Sequence, residues 1–184
     1  MIFQANREVL HPLRNSLLLV VDPQNYFVNK VTRHIPKNIQ TLLTSGAFPL
    51  FRISQFINIT NSAHEKFLAW NKMKSGKEIE IVPELEEFVR DKTFVKHSYS
   101  AFTDEFVKLL HAQQVENIYF AGFDTDVCIL INASIAFEKG FQPFVLTKYC
   151  ASHSGTSEHL AALLILRKII GEDGFVNATF SKIK

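Results

Sequence analysis

A chain of 184 residues, 47% hydrophobic and with 17 phenylalanines, is long enough for one ordinary domain and apolar enough to bury a core, which excludes disorder as its main state. A formal net charge of +2, with no dense lysine and arginine cluster, excludes a nucleic-acid partner, whose phosphates need such a footprint. No stretch is long and apolar enough to span a bilayer, and the first ten residues lack an export signal's charged start and apolar run, so a cytoplasmic protein with no membrane partner is expected.

Residues 1–15 read as a lead-in, with Pro12 barring a helix before the first strand. Ser16 to Val21 is a continuous apolar run, the pattern of a strand covered on both faces, and it delivers Asp22 and Pro23 at its carboxyl end. Helical spacing from Pro36 to Thr44 stops at Gly46, and a second strand follows from Ala47 to Ile53. Ser54 to Gly76 turns polar and asparagine-rich; a helix over His64 to Met73 carries Phe67 and Trp70, and the segment reads as a lid or a substrate wall.

Pro83 to Val89 is a short helical piece, and Thr93 to Val95 a third strand that delivers Lys96. Thr103 caps the next helix, which bears Phe106, Leu109 and Leu110. The fourth strand starts at Ile118. It runs into Gly122 and a polar turn, Asp124, Thr125 and Asp126, from which Cys128 opens a helix that closes at Gly140. Pro143 to Thr147 is a fifth strand. Thr156 or Ser157 then caps a helix that is apolar almost all round, from Leu160 to Ile170, which points to a subunit interface and a homo-oligomer, dimer or tetramer. Phe175 to Phe180 is the last strand.

Strands alternating with helices predict a single α/β domain over residues 1–184. Its expected core is a doubly wound, mostly parallel six-stranded sheet with helices on both faces, Rossmann-like in type. No Gly-x-Gly-x-x-Gly follows the first strand, so a dinucleotide is not expected.

Asp22, Lys96 and Cys128 each follow a predicted strand, and in a parallel sheet those carboxyl ends share one edge. Together they supply a proton acceptor, a cation and a nucleophile. The helix start at Cys128 gathers unpaired N–H groups that lower a thiol's pKa and hold an anion. Singly, each residue has an ordinary reading: a packed thiol, a turn carboxylate before proline, a surface lysine. Cys128 and Cys150 are expected as free thiols, Cys150 as a packed one. His97 reads as a loop residue, and Phe27, Trp70, Tyr99 and Phe123 as either core or an aromatic wall for a small flat substrate.

Three ordered segments, Leu17 to Phe27, Val95 to Phe102 and Ala121 to Cys128, resemble the signatures of the isochorismatase-like cysteine hydrolases. The resemblance runs from about Ser16 to the last strand and is weakest between Ser54 and Glu78. It implies a catalytic triad of Asp22, Lys96 and Cys128, and a non-proline cis peptide between Phe123 and Asp124. That bond would aim the backbone N–H of Asp124, with that of Cys128, into an oxyanion hole.

The implied reaction is metal-independent cleavage of a small carboxamide or ureido C–N bond, with no cofactor. Asp22 takes the thiol proton, Lys96 favours the thiolate, Cys128 forms a thioester, and Asp22 then protonates the leaving amine and activates water. Two departures stand out: Tyr26 replaces a second Asp, and Asp124 puts an acid beside the oxyanion hole. The Asp-x-His metal motif of the family's nicotinamidase branch is replaced by Ser54-Gln55-Phe56-Ile57-Asn58, with only His64 nearby, so no metal is expected. The alternatives are vinyl ether hydrolysis of an isochorismate-type substrate, which needs no thiol, and a non-catalytic binding protein that keeps the fold.

Overall fold

The strand Ser16–Val21 (β1) is buried along its whole length in the computed structural model, which describes residues 15–177. Its alternation divides the core: Leu17, Leu19 and Val21 enter one apolar layer, Leu18 and Val20 the other. Each such leucine or valine contributes about 1.5–3 kcal/mol by leaving water. Every neighbour in the sheet is parallel, in the order β3-β2-β1-β4-β5-β6, where β2 is Phe51–Phe56, β3 Thr93–Lys96, β4 Asn117–Gly122, β5 Gln142–Cys150 and β6 Phe175–Val176.

Helix α1 (Ile35–Thr44) packs its Ile35, Ile39 and Leu42 into one layer. α3 (Asp104–Ala112), α4 (Leu130–Glu138) and α5 (Thr156–Ile170) fill the other through Phe106, Leu110, Ala133, Ala136, Leu163, Leu166 and Ile170. The short α2 (Ala63–Leu68) stands apart from both layers, beside the carboxyl ends of β2 and β3. The sheet is therefore doubly wound, and its strand order reverses between β1 and β4, where such sheets open a ligand crevice. No helix among the described residues is long and apolar enough to cross a membrane.

Several boundaries move from their sequence positions. β2 begins at Phe51 and not at Ala47, because Pro49 has no N–H for the ladder and Leu50 uses its carbonyl to accept from Leu18 N. It extends through polar Ser54 and Gln55 because both find partners: Ser54 Oγ donates to Asp22 Oδ1, and Gln55 Nε2 to the Ile79 carbonyl.

α2 stops at Leu68, not Met73. Ala69 turns left-handed at φ 51°, and the amide of Asn58 binds the Trp70 and Lys72 carbonyls to fold the chain back. Thr103 does cap α3, accepting from Phe106 N, but neither Thr156 nor Ser157 caps α5: Gly155 holds that position at φ 148°. α5 buries one side only, leaving Leu160, Leu164 and Ile165 about half exposed. The last strand is observed as Phe175–Val176; Asn177 already lies outside it, and 178–180 of the expected span lie outside the described residues, as does Pro12.

Candidate active site

Asp22 follows β1 in a left-handed turn at φ 47°, a conformation Asp tolerates better than most residues. Its backbone N–H donates to the Ser54 carbonyl and its Oδ1 accepts from Ser54 Oγ at 2.8 Å, so β2 holds the carboxylate in place. Oδ2 faces Lys96 Nζ across 2.8 Å. Lys96, the last residue of β3, is 2% exposed, and its ammonium donates to the carbonyls of Ser98 (2.9 Å) and Tyr99 (3.1 Å) and to Cys128 Sγ at 3.7 Å. A lysine is seldom buried unless paired. Here the carboxylate, two carbonyls and the Phe56 ring, 5.2 Å below Nζ, replace its water. The sheet thus brings together three residues spread over more than a hundred positions.

Gly122 makes the next step possible. A Cβ there would lie 2.1 Å from the Val21 carbonyl oxygen, and φ is +114°, so only glycine lets β4 end against β1. The Phe123–Asp124 peptide that follows is cis. The helix does not open at Cys128: a widened π turn, Thr125–Ile129, comes first and α4 begins at Leu130. The Asp124 carbonyl accepts from both Val127 and Ile129 N–H, which sets that turn.

The expected low thiol pKa is overturned. Burial pushes the Cys128 thiol well above its ordinary range, the Asp22 carboxylate adds to the rise, and Lys96 only partly opposes them. Burial alone lowers the pKa of Lys96, but Asp22 and Cys128 together outweigh it and raise the net value. Cys150 is also free; burial drives its thiol far up, and its Sγ donates to the Phe120 carbonyl.

Cys128 opens onto a cavity of about 250 Å³ lined by Tyr26, Phe27, Phe56, His64, Leu68 and Trp70, closed by Tyr99, Val127, Asp124 and His153. Three of the four aromatic candidates line it. Phe123 does not: it is fully buried in the core and stacks with Phe27 at 6.1 Å. His97 is exposed and binds the Ile57 carbonyl. In the stretch Ser54 to Asn58, Phe56 carries no donor and the Asn58 amide donates to the Trp70 and Lys72 carbonyls. Among the described residues, no three His, Cys, Asp or Glu side chains are grouped to hold a metal.

Several site residues are not legible from pattern. Asn132, fully buried on α4, accepts from Ala101 N (2.7 Å) and donates to the Tyr99 (2.9 Å) and Cys128 (2.7 Å) carbonyls, tying the loop after β3 to the turn that carries Cys128. Gln24 links β1 to β2 through Phe56 N and O. His64, 6% exposed, has no hydrogen-bond partner for either ring nitrogen among the described residues, and burial and then Lys96 lower its pKa. His153 occupies both oxygens of Asp124: its backbone N–H donates to Oδ1 at 2.8 Å and its ring Nδ1 meets Oδ2. Of these, Gln24 lies within the Leu17 to Phe27 segment that carries the family resemblance.

Residues 16–172 match the family model of the isochorismatase domain, and the chain belongs to that family. It is an isochorismatase-like hydrolase. Among solved structures, its fold is shared by an isochorismatase-like hydrolase from Alkaliphilus metalliredigens, 18% identical with a TM-score of 0.73 over 84% of this chain and 91% of that one. A pyrazinamidase/nicotinamidase from Streptococcus mutans is 20% identical, TM-score 0.74, over 88% and 99% of the respective chains. An N-carbamoylsarcosine amidase from Thermoplasma acidophilum is 16% identical, TM-score 0.72, over 86% and 94%. No curated protein matches the chain.

Proposed function

We propose that this hydrolase cleaves the C–N bond of a small, flat carboxamide or ureido compound through a thioester on Cys128, with Asp22 as base and Lys96 as the charge that holds them in register. The observation that supports this reading is the lysine: a 2% exposed ammonium 2.8 Å from a carboxylate and 3.7 Å from a thiol at the base of an aromatic cavity. A structural ion pair has no need of the sulfur.

As Sγ attacks the carbonyl carbon, its proton passes to Asp22, and the raised thiol pKa makes that transfer concerted with attack rather than prior to it. The oxygen acquires charge near the N–H groups of Asp124 and Cys128, which serve as its oxyanion hole. The C–N bond then breaks with a proton to nitrogen, and water hydrolyses the thioester to the acid. The aromatic rings of Phe27, Trp70 and Tyr99 select flat substrates.

The amidases among its structural relatives support the amide chemistry. The half-exposed Leu160, Leu164 and Ile165 of α5 support a homo-oligomer, and the unpaired cysteines a cytoplasmic site.

Ammonia release from nicotinamide, pyrazinamide, N-carbamoylsarcosine and benzamide tests the reaction, with protein mass spectrometry to catch an acyl adduct. Loss of both ammonia and adduct in Cys128→Ala is expected. Full activity in that variant sinks the reading.

A further inference from the structure

Resting on the amide hydrolysis proposed above, we infer that the flat head of the substrate carries an uncharged apolar arm, and that Ile59, Phe67 and Leu68 line the groove beside the Cys128 cavity that receives it. With ammonia as the leaving group, such an arm belongs to the acyl part.

The cavity over Cys128, at about 250 Å³, is smaller than the roughly 300–1,000 Å³ of sites that enclose a drug-sized ligand. A second hollow of about 530 Å³ adjoins it, and His64, Leu68 and Tyr99 line both. Leu68, 61% exposed, forms the rim between the two. Phe67 stands beside it on α2 at 82% exposed, and Ile59, just before the helix, is half exposed. Apolar side chains scattered singly over a surface are ordinary, whereas several gathered in one groove mark a binding site.

This face is anchored. Ser62 caps α2 by accepting from Glu65 N, Ala69 ends it in a left-handed turn, and Trp70 N donates to the His64 carbonyl. Glu65 pairs with Lys74 and accepts from Asn61 N. The exposure of Phe67 and Leu68 is therefore built into a helix tied at both ends.

The groove offers a ligand little besides carbon. No Asp, Glu, Lys or Arg lines it. Ser62 Oγ donates to Asn58 Oδ1, Ser98 Oγ donates to the Ser100 carbonyl, and His97 Nδ1 binds the Ile57 carbonyl. His64 has both ring nitrogens closed to solvent and meets the Tyr99 ring edge-on at 4.7 Å. A charged occupant would leave water there without gaining a partner, while alkyl carbon gains by burial. A second copy of the chain has the apolar face of α5 to bind, whereas the α2 groove is set apart by the walls it shares with the cavity.

Trp70, the single tryptophan of the chain, lies in the cavity wall, so its fluorescence reports binding without turnover. Cys128→Ala is titrated with benzamide and with its 3- and 4-ethyl, butyl and hexyl derivatives. Affinity is expected to rise roughly threefold per methylene as far as butyl in at least one series, the gain that burial of each CH₂ gives. A 4-(3-carboxypropyl)benzamide of matching length should gain nothing. In the enzyme that keeps Cys128, kcat/KM for ammonia release should climb with the same slope. Adding Phe67→Ser or Ile59→Ser, at exposed positions, should bring the ratio of the butyl compound to benzamide back toward one.

No slope in either series, a carboxylate that binds as well as the butyl compound, or a slope that survives Phe67→Ser overturns the inference. So does a lower sedimentation mass in Phe67→Ser with the slope retained, which would make α2 a subunit interface. An affinity slope with no ammonia from any compound supports the groove and overturns the amide reading instead.

Discussion

Lys96 Nζ lies 2.8 Å from Asp22 Oδ2, and the two side chains are 1% and 0% exposed. A buried ion pair of this kind is weak evidence for stability, since its desolvation offsets its attraction, but removing one member is costly. Lys96→Met should therefore destabilise the fold by about 3–5 kcal/mol in urea denaturation as well as abolish turnover. Because the folded lysine pKa is raised above 10.5, this contribution is fully present below that pH and is lost as pH rises through the folded value. Alkaline denaturation should accordingly shift less in the double variant Asp22→Asn, Lys96→Met than in the wild type.

Asn132→Ala should leave the Ala101 N–H without its partner and remove one donor each from the Cys128 carbonyl and from the Tyr99 carbonyl, which keeps Lys96 Nζ. A buried orphan costs about 1–3 kcal/mol, so a loss of about 1–3 kcal/mol is expected in thermal or urea melts. Turnover should fall as well, since the loop that delivers the two carbonyls to Lys96 loses its tie to the turn that carries Cys128. Stability loss with unchanged kcat would show the tie to be structural only.

His64→Phe removes no hydrogen bond and replaces a buried imidazole among Phe56, Trp70 and Tyr99 with a ring of matching shape. The folded pKa is lowered, so the unfolded chain binds the proton more readily and the wild type loses stability as pH falls below 6.5. The variant should be at least as stable at pH 8, and its urea midpoint should drop less between pH 8 and pH 5.

Gly122→Ala places a methyl 2.1 Å from the Val21 carbonyl oxygen at a φ of +114°. Neither backbone can yield without breaking the β1–β4 register, so the variant should be recovered unfolded or with a melting temperature lowered by well over 10 °C, as read by circular dichroism.

Trp70→Ala should open the cavity wall while leaving Asp22, Lys96 and Cys128 untouched. KM for the preferred amide is expected to rise about tenfold or more with a smaller change in kcat. A kcat-only effect would place Trp70 outside the binding surface.

What the sequence determined by itself is what periodicity and local chemistry encode. Continuous apolar runs mark β1 and β4 because parallel strands are covered on both faces. Asp22 and Cys128 follow such runs and Lys96 ends the short edge strand Thr93–Lys96, so their shared edge is implied by strand alternation alone. Gly122 and the turn after it are equally local. Tertiary structure decided everything that depends on distant partners: the start of β2 after Pro49, the inward course of Phe123, the tie from Asn132 to Ala101 thirty-one residues away, and the seat of His153 on Asp124 across twenty-nine. A hydrogen bond between loops has no period and no composition, and the pKa of Cys128 reflects how deeply the sheet buries it and which charges face it. For those the chain had first to be folded, because burial and facing charge are properties of the packed edge, not of any stretch that contributes to it.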